Sequence, residues 1–242
     1  MFRAIIFFDL DSTLVINPLG RRVMPKVYEE VSRILGVGVE KVLEIFTEKH
    51  MEKIRVGDPK AYDWDYILSE MLMENGIRPR ENIFLEELQR VCGSVEVLDD
   101  APRVLERLQN MGFYIVLSTN GFWKYQECVV REAGLLQYFK EISSPDKKGC
   151  LKSSSCFYTT SINGSIKISV GDNIIFDVYY PKKYGLRAIH VRRPISIGEE
   201  YARVLGIDLS KIEPDATVTS LAQIYGAIES ILRGSNGDGR TG

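Results

Sequence analysis

The sequence predicts an α/β fold: a doubly wound parallel sheet with a small all-helical domain inserted after the first strand. Three observations predict it. The chain opens on a continuous apolar run, its residues from about Pro25 to Cys92 repeat apolar positions at helical spacing, and helix and strand alternate from Asp100 onward.

The opening run, Arg3-Ala-Ile-Ile-Phe-Phe8, is rich in β-branched and aromatic residues and stops at Asp9, as a strand buried on both faces of a parallel sheet should. In the next block Val27, Val31, Ile34 and Leu35 share one stripe, and Val42, Leu43, Ile45 and Phe46 share another. Further helices are expected near Trp64 to Glu74 and Glu81 to Cys92, with no strand among them. Alternation then resumes. A helix from Asp100 to Met111 ends at Gly112, a strand covers Phe113 to Leu117, and a helix from Phe122 to Ala133 closes at Gly134. Ile166 to Val170, Ile175 to Tyr184 and Arg187 to Val191 repeat the pattern, and Ala216 to Thr219 with Leu221 to Leu232 complete it. The expected division is a core of residues 1–16 and 93–233, a helical insert of 17–92, and a Gly-rich disordered tail of 234–242.

Composition narrows the function classes. With 45% hydrophobic and 26% charged residues and a net charge of -2, the chain has the balance of a globular protein and lacks the basic excess of a nucleic-acid binder. The longest N-terminal apolar segment is far shorter than a membrane span or signal peptide requires, so a cytoplasmic location and no membrane partner are expected. Cys92, Cys128, Cys150 and Cys156 form no CxxC pair and have no histidines at zinc-site spacing; they read as reduced, mostly buried thiols.

In open parallel sheets ligands bind beyond the carboxyl ends of the strands, which directs attention to the residues after each apolar run. Asp9-Leu10-Asp11-Ser12-Thr13-Leu14 places two carboxylates there. One carboxylate is a competent nucleophile toward phosphorus and a hard ligand for Mg²⁺, and the second can carry protons, helped by the raised pKa that a like charge nearby imposes. Ser118-Thr119-Asn120-Gly121 offers a hydroxyl and backbone N–H groups to an anion. Gly149-Cys150-Leu151-Lys152-Ser153 offers a cation, with Lys147 and Lys148 as rivals, and Gly171-Asp172-Asn173-Ile-Ile-Phe-Asp177 supplies a second acidic pair. Taken singly, each has a bland explanation in turns, helix caps or solvated surface. Their order along the chain, three of them at predicted strand ends, is what argues for one site.

FFDLDSTLV, VLSTNG, GCLKS and VGDNIIFD together resemble the motifs of the haloacid dehalogenase-like hydrolase superfamily, along most of the core. The resemblance implies that Asp9 attacks phosphorus and Asp11 is general acid/base. It further implies that Thr119, with Asn120 beside it, and Lys152 bind the phosphoryl group. Mg²⁺ would be held by Asp9, Asp172 and the backbone carbonyl of Asp11, with Asp177 as a closely associated or water-mediated partner. The helical insert is similar to the type-1 cap of the phosphoglycolate phosphatase-like branch. Ser153 stands where that branch often has proline, and Phe176 where it is often polar, which leaves the lysine's placement open; Ser118 remains an alternative to Thr119.

The expectation is therefore a Mg²⁺-dependent phosphatase acting on a small phosphorylated metabolite through an aspartyl-phosphate. The alternatives are a sugar phosphomutase, a 2-haloacid dehalogenase, which lacks the second acid, and a non-catalytic binding module. Substrate choice falls to the insert, where His50, Arg55, Tyr62 and Trp64 are the candidates; His190 reads as an ordinary strand residue. The sequence does not set the oligomeric state.

Overall fold

The computed structural model describes residues 2–163, 166–194 and 198–237. Its centre is β1 (Ile5–Phe8), whose four side chains are wholly buried. Because both faces of this strand are covered, every position along it is apolar, and the first polar residue, Asp9, arrives where the strand ends.

A short ribbon follows: β2 (Val15–Ile16) pairs antiparallel with β3 (Glu96–Val97), so the two ends of the helical insert leave the core side by side. Between them lie α1 (Met24–Leu35), α2 (Val39–Val56), α3 (Trp64–Glu74) and α4 (Ile83–Val91). A wide helical turn over Leu19–Val23 runs into α1, with Pro25 in its first turn, and Gly36 at φ 66° ends it in the left-handed conformation that glycine adopts without strain. The insert packs Val27, Val31, Val42, Phe46, Met71 and Phe84 inward. Ile34 and Leu43, expected on the buried stripes, are instead exposed, at 46% and 47%. Ile34 sits in the last turn of α1, and Leu43 lies about 100° around its helix from buried Val42.

The core continues with α5 (Ala101–Asn110), β4 (Tyr114–Ser118), α6 (Trp123–Glu132), β5 (Glu141–Ser143) and α7 (Pro145–Lys148). After β6 (Lys167–Gly171) a wide helical turn over Ile174–Tyr179 leads into α8 (Tyr180–Lys183) and β7 (Arg187–Val191). Then come α9 (Gly198–Leu205), β8 (Ala216–Val218) and α10 (Ile224–Gly237). The six core strands form one parallel sheet in the order β5-β4-β1-β6-β7-β8. The chain adds β4 and β5 on one side of β1 and β6, β7 and β8 on the other, and this reversal of strand order opens a crevice at the strand ends.

Further features depart from the sequence reading. Strands β2, β3 and β5 and helices α7 and α9 lie outside the expected elements; β5 is three residues long with no apolar run to announce it. Helix α10 continues to Gly237, past the expected end of the core, and residues 238–242 of the expected tail lie outside the described residues. The expectation of four reduced cysteines is corrected: Cys150 and Cys156 form a disulfide, S–S 2.09 Å, while Cys92 and Cys128 are free thiols. The loop turns back on itself through the Ser154 N–H to Leu151 carbonyl bond at 2.9 Å, which brings the two half-cystines together. Among the described residues no helix is long and apolar enough to cross a membrane.

Candidate active site

Strand pairing assembles the site. β4 and β6 flank β1 in register, Phe8 opposite Leu117 and Val170, so the segments that follow all three strands emerge at one edge. The Asp9 N–H is held by the Val170 carbonyl at 2.9 Å, which ties the first carboxylate to the end of β6.

Asp9, Asp172 and Asp177 bring carboxylate oxygens within 4.8 Å of one another. Lys152 reaches into the same space. Its Nζ lies 2.7 Å from Asp9 Oδ1 and 2.7 Å from Asp177 Oδ1, and the residue is only 2% exposed. Burial by itself would lower the ammonium's pKa, but the charges of Asp177 and Asp9 outweigh it and hold the group above its ordinary value. Burial raises Asp9 to about 6, opposed by Lys152, and raises Asp172 to about 8 with the Asp9 charge adding to the effect. Three clustered carboxylates facing one lysine leave an excess of negative charge that a hard divalent cation would offset, and all-oxygen donors fit Mg²⁺.

Asp11 stands apart from that cluster. Its Oδ2 accepts from Gln126 Nε2 at 2.8 Å, while its buried Oδ1 has no partner among the described residues. Desolvation, then the neighbouring Asp9 charge, raises it to about 6. Such a carboxyl exchanges its proton near neutrality.

The hydroxyl loop after β4 is held by its neighbours. Thr119 lines the cavity, its N–H bonded to the Ser143 carbonyl at 3.0 Å and its Oγ1 accepting from the Gly121 N–H at 3.0 Å. Asn120 Oδ1 accepts the Lys152 N–H at 3.0 Å, joining this loop to the lysine loop. Neither residue caps α6; the first helical N–H, that of Trp123, goes to Asp146 Oδ1 instead. Likewise Asn173, not Asp172, caps the turn after β6, accepting from Ile175 and Phe176, which leaves the Asp172 carboxylate facing the crevice.

The alternatives separate cleanly. Ser118 is buried and does not line the cavity, Lys148 bonds the Thr159 carbonyl at 2.8 Å, and the Lys147 ammonium lies over the Trp123 ring. Of the insert candidates, Tyr62 and Trp64 line the cavity, His50 is buried behind them and Arg55 is exposed outside it. His190 Nε2 meets the Asp172 carbonyl at 3.0 Å, so this strand residue also steadies the backbone of a site acid.

Sequence reasoning missed several supports. The Thr13 hydroxyl donates to Asp9 Oδ2 at 2.9 Å and accepts the Asp172 N–H at 3.1 Å, bridging the two acidic motifs; its place two residues after Asp11 was the available signal. Arg193 holds the backbone carbonyls of Ser12 and Thr13 at 2.9 and 2.8 Å, and Asn17 Nδ2 donates to Gln126 Oε1 at 3.0 Å, fixing the amide that meets Asp11. These contacts join distant parts of the chain and leave no local pattern.

All of this opens into a cavity of about 700 Å³ between the core and the insert. A second hollow of about 440 Å³, beside Tyr158, Lys167 and Arg187, contains none of the site carboxylates.

Residues 4–159 match the family described as haloacid dehalogenase-like hydrolase. No curated protein matches the chain. Among solved structures, a HAD phosphatase from Thermococcus onnurineus is similar at 23% identity and a TM-score of 0.72, covering 93% of this chain and 97% of its own. The putative HAD-hydrolase YfnB from Bacillus subtilis, bound to magnesium, is similar at 15% identity and a TM-score of 0.66, covering 95% and 100%. L-2-haloacid dehalogenase from Xanthobacter autotrophicus, with chloropropionic acid covalently bound, is similar at 18% identity and a TM-score of 0.62, covering 95% and 99%. These likenesses speak to the fold, and the family match spans more than half of the 242 residues. The chain belongs to the haloacid dehalogenase-like hydrolase family.

Proposed function

We propose that this hydrolase is a phosphatase for small phosphorylated metabolites that requires a divalent cation, Mg²⁺ by the chemistry of its donors. The observation that carries the reading is Asp11. A buried carboxyl with a raised pKa, one oxygen without a partner among the described residues and the other held by Gln126, suits a group that gives a proton to a leaving alkoxide and later takes one from water. A departing halide needs no proton, so a dehalogenase would have no use for it.

In this reading an Asp9 oxygen forms a bond to phosphorus as the ester oxygen leaves with the Asp11 proton. Asp11 then accepts a proton from water, whose oxygen attacks the aspartyl-phosphate, releases inorganic phosphate and restores Asp9. Lys152, held by Asp9 and Asp177, places positive charge beside the phosphoryl oxygens, and the Thr119 hydroxyl, with Asn120 beside it, binds them. Thr13 and Lys152 fix the Asp9 carboxylate from both of its oxygens, so the nucleophile is oriented before substrate arrives. Asp9, Asp172 and Asp177 would hold the cation, which supplies further charge neutralisation for the phosphoryl group.

The test is a panel of phosphate monoesters and 2-haloacids assayed with Mg²⁺ and with chelator. Phosphate release that chelator abolishes supports the reading. Halide release without metal would replace it with the dehalogenase, and isomer formation from sugar phosphates without free phosphate would replace it with the mutase.

A further inference from the structure

The 700 Å³ cavity is lined by more than the acidic cluster. Tyr62 and Trp64 from the insert and Phe176 and Tyr201 from the core line it together, with Ile16, Leu19 and Leu98 adding aliphatic surface. Phe176 and Tyr201 meet edge to face at 5.0 Å between centroids, as Tyr62 and Trp64 do at 5.7 Å. His50 locks three of these rings together: its ring lies 4.9 Å from Tyr62, 5.1 Å from Trp64 and 6.0 Å from Tyr201. Its Nδ1 faces the Ala61 carbonyl at 2.7 Å and so carries the proton, leaving Nε2 to accept from the Tyr201 hydroxyl at 3.2 Å. The Tyr62 hydroxyl is engaged in turn by Tyr201 and Asn120. With its polar end so engaged, half-buried Tyr62 offers the cavity ring surface beside Trp64, while Tyr201 and Phe176, 5% and 3% exposed, contribute only their edges.

The charged groups of the lining are accounted for as well. The four aspartates and Lys152 make up the phosphoryl end. Arg193 is consumed by the Ser12 and Thr13 carbonyls and by Asp99 Oδ2 at 2.8 Å. That leaves Arg21 at the mouth, 64% exposed and 3.8 Å from Glu96. A second anionic group on a substrate, set away from Lys152, would therefore meet mostly apolar surface and, among the described residues, no further buried cation, at a substantial desolvation cost. A flat apolar group would displace water and stack on the rings.

Resting on the phosphatase reading, we propose that the substrate's leaving group is an uncharged aromatic or comparably flat apolar alcohol, seated against the aromatic wall that Tyr62 and Trp64 form with Phe176 and Tyr201. The phosphoryl group is then the only anionic part of the substrate. This assigns specificity to a wall shared by insert and core and makes His50 a positioning residue that acts through the three rings it touches. The site would discriminate against phosphorylated carboxylic acids such as phosphoglycolate.

Three esters of alcohols of similar acidity test it on the full chain with Mg²⁺: ethyl, benzyl and 4-carboxybenzyl phosphate. The expected order in kcat/KM is benzyl above ethyl by about tenfold or more, with the added carboxylate removing about tenfold or more. Trp64→Ala should shrink the benzyl-to-ethyl ratio several-fold, with Trp64→Leu as a second variant that retains bulk for the fold while losing the ring. Ethyl and benzyl phosphate turned over equally well, or the carboxylated ester preferred, would overturn the assignment while leaving the phosphatase standing. Phosphate release from none of the three, nor from any other monoester, would overturn both.

Discussion

Gly171 and Asp177 stand so close that a methyl group on the glycine would lie 2.3 Å from the carboxyl carbon of the aspartate. The last residue of β6 is thus without a side chain because the acid six residues later folds back over it, with Asp177 Oδ2 accepting the Asn173 N–H at 3.0 Å.

Gly171→Ala should therefore push Asp177 away from Lys152. The expected result is a loss of about 1–3 kcal/mol of stability from overpacking, accompanied by a drop in activity larger than that destabilisation explains. Denaturant unfolding and kcat/KM measured on the same preparation check it; an alanine variant of unchanged activity would show that Asp177 need not stay where it is.

Asp9→Asn and Asp11→Asn should fail differently. On the proposed mechanism the first removes the nucleophile, so no covalent phosphoryl-enzyme should form with any ester. The second keeps the nucleophile and loses proton transfer, with turnover falling by roughly 10²–10⁴ and less for esters whose leaving group is already acidic, such as an aryl phosphate. Mass spectrometry of acid-quenched protein and a comparison of alkyl with aryl phosphates distinguish them.

Adding Mg²⁺ to metal-free protein should raise Tm, because the cation relieves the crowding of Asp9, Asp172 and Asp177. At a hundredfold excess over Kd the gain is about 2.7 kcal/mol. Asp172→Asn should lose most of this shift, and a calorimetric titration reads it without any substrate.

His50 is buried and its pKa is lowered to about 4, chiefly by desolvation. Unfolded, it would titrate near 6.5, so between those values the unfolded state binds the extra proton. The resulting stabilisation is complete above about pH 6.5 and fades as pH falls toward 4, by about 3 kcal/mol in all. Subtracting the stability–pH curve of His50→Gln from that of the wild type should isolate this slope; parallel curves would refute it.

The Cys150–Cys156 disulfide closes a short loop around Lys152. A Cys150→Ser, Cys156→Ser double variant should lose about 2 kcal/mol on chain-entropy grounds. Lys152 should keep its place, since Asn120 holds its backbone and the Tyr158 hydroxyl donates to its carbonyl at 2.9 Å. Activity that persists alongside a lowered Tm is the expected combination.

What could be read from the sequence followed from how local each signal was. Strand β1 and its acids were legible because four buried residues and two carboxylates are contiguous, and Asp172 and Asp177 because they follow β6 directly. Lys152 is legible only by its motif; what identifies it in space is a pair of ion contacts with residues far along the chain. Gln126 looked like any polar residue on a helix, although it is buried against Asp11. Strand β5 escaped because Glu141-Ile-Ser143 has no apolar run, and its identity comes from pairing with β4. The disulfide escaped because six residues of separation fix no geometry until the loop is folded.

The antiparallel ribbon formed by Val15–Ile16 and Glu96–Val97 brings both ends of residues 17–92 to one doorway. A transplanted insert could be spliced there without disturbing the strands that carry Asp9, Thr119 or Asp172. It would bring new counterparts of Tyr62 and Trp64 while Phe176 and Tyr201 stayed with the core, so exchanging the insert would renew one part of the cavity wall and keep the other.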